Sequence, residues 1–208
     1  MRANEVFFNK KIFLLAGCLA AVFVYVFSIP NHVEKLALIP EKVASGETWR
    51  FLTFQFTHLN QSHLLENIIG VLLAGGIATE LKTKFEDFSA VYFLAGILAV
   101  VPLFYIINFT VLGASAAIYG VFGLVALEAK KFKIKKEHIF GLLIASIFAQ
   151  SIIYYFNCGA GCEQFIFSFK QAGLHFSGLV AGVVIFYSLD KLKAPIRRNK
   201  RITLRRLK

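Results

Sequence analysis

The sequence predicts an all-α, polytopic membrane bundle, on three observations. First, 57% of the 208 residues are hydrophobic, only 17% are charged, and the mean hydropathy is +0.66. Soluble domains carry nearer a quarter charged residues. Second, six stretches approach the roughly 20 mainly apolar residues that a helix needs to cross the hydrocarbon core. They are residues 12–29, 62–81, 88–109, 115–129, 138–156 and 171–189. Third, the net charge of +11 is unevenly placed.

The first span has no small-residue cleavage site after it and is too long for the apolar region of a removable leader. The second, third, fifth and sixth spans have ordinary lengths, and the fourth is short. The 31–61 connection, the 157–170 loop and the basic tail from Lys191 are read as irregular. No repeat or second domain is visible, so the division is a single membrane domain over 1–190 and a basic cytoplasmic tail over 191–208. Three cysteines are too few for a disulfide-stapled scaffold.

With six spans, both termini share a side. All the Lys and Arg residues except Lys35, Lys42, Arg50 and Lys170 then fall on that side. The positive-inside rule makes it the cytoplasmic one. Attraction to anionic lipid heads is an added consequence. The surplus charge is therefore a topology signal, and nucleic-acid binding is set aside.

Polar groups within spans cost several kcal/mol unless they are paired or face a cavity, so they point to function. The second span carries His63 and Asn67, with Glu66 between them. The fourth opens with Gly113, Ala114 and Ser115 and has Tyr119 one turn on, and the sixth carries His175. All three spans start on the outer side. His63, Asn67, Ser115 and His175 therefore share a depth within one or two turns of the outer surface. A hydroxyl and an imidazole at one depth suit a nucleophile and its base. His63 and Asn67, at i and i+4, lie on one helix face and can aim two donors at an oxyanion. Small residues at Ala116 and Gly120, and at Gly178 and Gly182, form stripes that let helix backbones approach closely. Each residue alone has an ordinary reading: a back-bonded serine, an interhelical asparagine, a packing glycine. Their common depth is what makes them a constellation.

These residues resemble the rhomboid family of intramembrane serine proteases over about 44–190. Glu47-Thr48-Trp49-Arg50 is similar to that family's W-R motif. His63 to Asn67 matches H-x-x-x-N, Gly113-Ala114-Ser115-Ala116 is similar to G-x-S-G, and His175 with Gly178 and Gly182 is similar to H-x-x-G-x-x-x-G. The resemblance implies a Ser-His dyad of Ser115 and His175. It implies an oxyanion site of His63, Asn67 and the Ser115 amide. Tyr119 would pack on the His175 ring, and Glu47 and Arg50 would shape the first outer loop, with Trp49, Gly113 and Gly178 in support. It further implies a serine helix that starts below the surface in a water-accessible cavity, and transmembrane protein substrates with small residues at the cleaved bond. Ala116 stands where the family pattern has glycine, the smallest possible change.

No cofactor or metal is expected. Cys158 and Cys162 are able to form a small disulfide, and their C-x3-C spacing is not a zinc motif. His58 is read as a hydrogen-bonding loop residue, and His32 is given no role. The expected location is a prokaryotic cell membrane, with the site opening outward and the lipid bilayer as a second partner. The competing readings are a non-cleaving binder of client helices and a small transporter. The transporter would need polar groups along the whole depth of the bundle.

Overall fold

The computed structural model describes residues 9–102, 109–129 and 133–206, with side chains described as far as Lys193. Arg2, Lys130, Lys131 and Lys208, and residues 103–108 of the expected third span, lie outside the described residues. Helix α1 (Lys10–Phe27) ends three residues before Pro30, whose ring disfavours helix in the residue ahead of it. The connection that follows was expected to be irregular. It instead contains α2 (His32–Leu36), α3 (Pro40–Ala44), α4 (Arg50–Thr53) and a 3-10 turn at Phe54–Phe56. Pro40 starts α3 at the one helical position where a missing N–H costs nothing.

Helix α5 (Gln61–Glu80) begins at Asn60, whose side-chain oxygen accepts the backbone N–H of His63 at 2.9 Å. Helix α6 (Phe85–Val100) starts earlier than the expected span and stops sooner. Residues 101–102 form a turn, and Phe109 is not helical. Pro102 accounts for the stop, because it cannot donate to the helix. Helix α7 (Ser115–Glu128) is followed by α8 (Lys136–Cys158) and α9 (Glu163–Arg206). Two expectations are corrected at α9. Most of the 157–170 loop is its first turns, because no Gly or Pro interrupts the chain between Glu163 and Lys170. The basic tail is helical as far as Arg206, in keeping with its Lys, Arg and Leu content.

The architecture is all-helical. By length and apolarity α1, α5, α8 and α9 can cross a membrane, and α7 is a shorter apolar helix. Helix α7 sits at the centre, packed by α9, α6, α5 and α8. It is apolar on all sides, and residues from Ala116 to Ala126 are nearly all buried. Its 14 residues rise about 21 Å, less than the roughly 30 Å hydrocarbon thickness. Helix α8 is peripheral, with only Ile147 and Ser151 buried.

The lysines of the loops gather as the charge distribution anticipates. Lys82, Lys84, Lys135, Lys136 and Lys193 line one cavity of about 650 Å³, at the end of the bundle remote from the starts of α5 and α7. There Lys193 of α9 pairs with Asp87 of α6, and the Thr83 hydroxyl donates to Glu128.

Candidate active site

Ser115 is the first residue of α7, reached through Gly113 at φ +102°. Only glycine holds that conformation without strain. A second constraint acts at the same position: a Cβ on Gly113 would lie 2.7 Å from the His63 ring. The turn before the serine is thus compact because the α5 histidine lies directly against it. It is also tied into the first connection. The Gly113 N–H donates to the Phe54 carbonyl at 2.9 Å, and Leu38 and Val111 exchange backbone hydrogen bonds of 2.9 and 3.0 Å.

His175, on α9, places Nε2 at 2.8 Å from the Ser115 Oγ. A neutral imidazole accepting at Nε2 takes the hydroxyl hydrogen, and its own proton is then on Nδ1. Tyr119, one turn along α7, stacks on the imidazole with centroids 4.8 Å apart and planes at 25°. Among the described residues no carboxylate is seen bonded to His175.

The separation of Ser115 and His175 is set by backbone contact. A Cβ on Gly178 would fall 2.1 Å from the Ala116 carbonyl oxygen, and one on Gly182 would fall 2.1 Å from that of Gly120. Helices α7 and α9 therefore touch through bare backbone one turn below the dyad. Ala116 has an ordinary negative φ, and the left-handed position in this turn belongs to Gly113.

On the α5 side, the Leu59 N–H points to His63 Nδ1 at 3.4 Å, which leaves the ring proton on Nε2, the nitrogen that faces Gly113. Asn67 is buried and donates one amide hydrogen to the His63 carbonyl at 2.8 Å, keeping a second hydrogen available. The first intrahelical bond of α7 runs from the Ile118 N–H to the Ala114 carbonyl. The amide of Ser115 lies ahead of it, without a helical acceptor.

Arg50 is buried in the first connection. Its guanidinium bonds Glu47 at 2.7 and 2.5 Å, the Ala37 carbonyl at 2.6 Å and the Glu34 carbonyl at 3.0 Å. These bonds tie together the connection to which Gly113 and Val111 are hydrogen-bonded. Trp49 is not brought to the dyad. Its side chain is 53% exposed, as suits an aromatic ring at a membrane interface.

The sequence reading missed the setting of His58. Its ring is fully buried beside the Phe56 backbone, and it packs against Phe23 at 4.9 Å and edge-on to His63 at 5.2 Å. Its backbone carbonyl bonds Nε2 of His32 at 2.9 Å, and His32 also reaches the Ile29 carbonyl. Burial, reinforced by the nearby His63 and His32, pushes the His58 imidazole down to about 3. The signal available in sequence was a histidine five residues before another, inside an apolar run. Cys158 and Cys162 are bonded to each other between α8 and α9, near the end that carries the dyad.

Comparison with known proteins places these features in a family. Residues 45–191 match the Rhomboid domain family. A rhomboid-related protein 1 of Caenorhabditis elegans is 36% identical over 93 residues, covering 44% of this chain and 26% of that protein. A rhomboid-like protease 2 of Toxoplasma gondii is 35% identical over 99 residues, covering 44% of this chain and 33% of that protein. The matched region thus spans about a quarter to a third of these relatives. The family match covers most of the chain and contains both members of the Ser115–His175 pair: this integral membrane protein belongs to the rhomboid family.

Proposed function

We propose that the chain is an intramembrane serine protease that hydrolyses peptide bonds in or near the transmembrane segments of other proteins. The observation that carries this reading is the 2.8 Å contact between Ser115 Oγ and His175 Nε2 at the half-buried start of a central helix. Ser115 Oγ attacks the peptide carbonyl while its proton passes to His175 Nε2. The resulting oxyanion is met by the Ser115 amide, the His63 Nε2–H and the free hydrogen of Asn67. Collapse breaks the C–N bond, with His175 returning the proton to the leaving amine. Water then repeats the sequence on the acyl-enzyme. No metal or cofactor takes part in these steps.

The substrate segment enters between α5 and α8. Two cavities open along that side, of about 520 Å³ near His63 and about 540 Å³ near Leu72 and Ile139. Helix α8, lightly buried, is the wall best able to give way. The lysine-lined end of the bundle faces the cytoplasm and the dyad opens on the other side, by the positive-inside rule. The domain comprises residues 1–190, and the basic tail continues α9 on the cytoplasmic side.

Purified protein in liposomes is expected to cleave a single-span substrate and to label with a fluorophosphonate. Ser115→Ala and His175→Ala are each expected to abolish cleavage. Equal cleavage by wild type and Ser115→Ala would remove the proposed nucleophile. Substrate binding without cleavage or labelling would favour the non-cleaving client binder instead.

A further inference from the structure

We propose that the 520 Å³ cavity beside the dyad is a subsite for a basic substrate side chain, selected by Glu66. This rests on the proteolytic reading of Ser115 and His175, and it names the substrate class.

Three polar side chains from three helices converge on this cavity: Glu66 of α5, Gln150 of α8 and Gln171 of α9. His63 forms part of the same wall. Glu66 follows His63 by three residues, a spacing that puts both on one side of α5. Gln171 precedes His175 by four residues, one turn or about 6 Å toward the start of α9. The cavity therefore begins at the oxyanion side of the dyad and extends toward the membrane surface.

Glu66 lies in the second turn of α5 and is exposed to the cavity, so its carboxylate is accessible to a substrate group. Among the described residues Glu66 has no hydrogen bond and no ion pair within 4 Å, its charge being felt by His63 of the same helix, and Gln150 and Gln171 have no hydrogen-bond partner. Lys170 adjoins Gln171 in sequence and does not itself line the cavity, but its ammonium sits 5.4 Å from the centroid of the Phe109 ring, which does. The remaining wall includes Phe167 and Leu174. A long side chain with an apolar stem and a cationic head fits that division, the stem against the rings and the head at Glu66. Lysine and arginine have that form. Glutamate in the substrate would face Glu66 as a like charge, and alanine would leave it unanswered.

The geometry assigns the basic residue to the membrane-surface side of the cleaved bond, within a few positions of it. The test uses single-span substrates that differ at one residue, stepped across three positions on that side, bearing Lys, Arg, Gln or Glu. The protein is reconstituted in uncharged lipid, so that surface potential does not sort the substrates. Wild type is expected to prefer Lys or Arg over Glu by about tenfold in kcat/KM at one position. Glu66→Gln is expected to bring that ratio close to one, Glu66→Lys to invert it and Glu66→Asp to retain part of it. Fluorophosphonate labelling of Ser115 reports that each variant is folded. Unchanged ratios in labelled Glu66→Gln and Glu66→Lys would overturn the subsite and leave the protease standing. If wild type cleaves nothing, the proteolytic reading fails on its own, and the same peptides are measured for binding to Ser115→Ala. Glu66-dependent preference for Lys or Arg there would uphold the subsite, and equal binding of all four would overturn it.

Discussion

Replacing Gly178 by alanine tests whether backbone contact between α7 and α9 sets the catalytic distance. The added Cβ would stand 2.1 Å from the Ala116 carbonyl oxygen and 2.9 Å from its Cα, where ordinary contact begins near 3.4 Å. Neither obstacle is a flexible side chain, so the two helices must part by about 1.3 Å. Applied along the line between Ser115 and His175, that displacement stretches the 2.8 Å contact to about 4 Å, outside hydrogen-bond range. A misplacement of about 1 Å between reacting groups costs about 10²-fold in rate. Overpacking costs about 1–3 kcal/mol in stability. The assay pairs kcat/KM on a single-span substrate with fluorophosphonate labelling rate and thermal unfolding in detergent. Gly178→Ala is expected to lose about two orders of magnitude in both rates while remaining folded. Gly17→Ala, where a Cβ meets nothing within 4 Å, is expected to retain them. Wild-type rates in Gly178→Ala would refute the idea that this contact positions the dyad.

Asn67→Ala is expected to lower kcat by about 10²–10³-fold, as for one lost oxyanion donor, with KM little changed in steady-state cleavage. Gly113→Ala combines backbone strain at φ +102° with a clash on the His63 ring, and is expected to lower kcat and unfolding temperature together. Asn60→Ala removes the cap of α5 and is expected to cost about 1 kcal/mol, read by denaturant titration in micelles. The pH prediction concerns His58, whose folded value of about 3 lies below its ordinary 6.5. Between those values the unfolded chain binds a proton that the folded chain refuses. Stability is therefore full above about pH 6.5 and declines as pH falls toward 3. His58→Phe is expected to flatten that decline in unfolding temperature measured from pH 7 to 4, and an unchanged slope would argue against His58 as its source.

The four long apolar helices α1, α5, α8 and α9, and the shorter α6 and α7, were legible in the sequence because apolar length is a local signal that any window reveals. The closeness of Ser115, His175 and His63 was approachable through depth alone, since helix rise converts position in a span into distance from the surface. Their lateral arrangement is a matter of tertiary packing, and only the small residues at Gly178 and Gly182 hinted at it. Helix ends were less legible. Pro102 ends α6 earlier than hydropathy implies, and polarity at 157–170 hid a helix that begins at Glu163. Arg50 was marked as a loop-shaping residue by resemblance, but its carbonyl partners at Ala37 and Glu34 come from distant turns that no spacing rule connects. The burial of His58 was hidden for a related reason: a loop histidine is ordinarily solvated, and its burial depends on Phe23 of α1 arriving from outside the motif.

Because α7 and α9 meet through backbone atoms at Gly178 and Gly182, no rotamer change can open or tighten that seam. Bilayers of different thickness load a protein mainly through its outermost helices, by tilting them. Here those are α1 and α8, whose lipid-facing side chains are largely exposed. Membrane composition should therefore alter how readily a substrate enters while leaving the reactivity of Ser115 nearly constant. On the proposed protease reading, the bilayer governs access, and the seam keeps the chemistry indifferent to its surroundings.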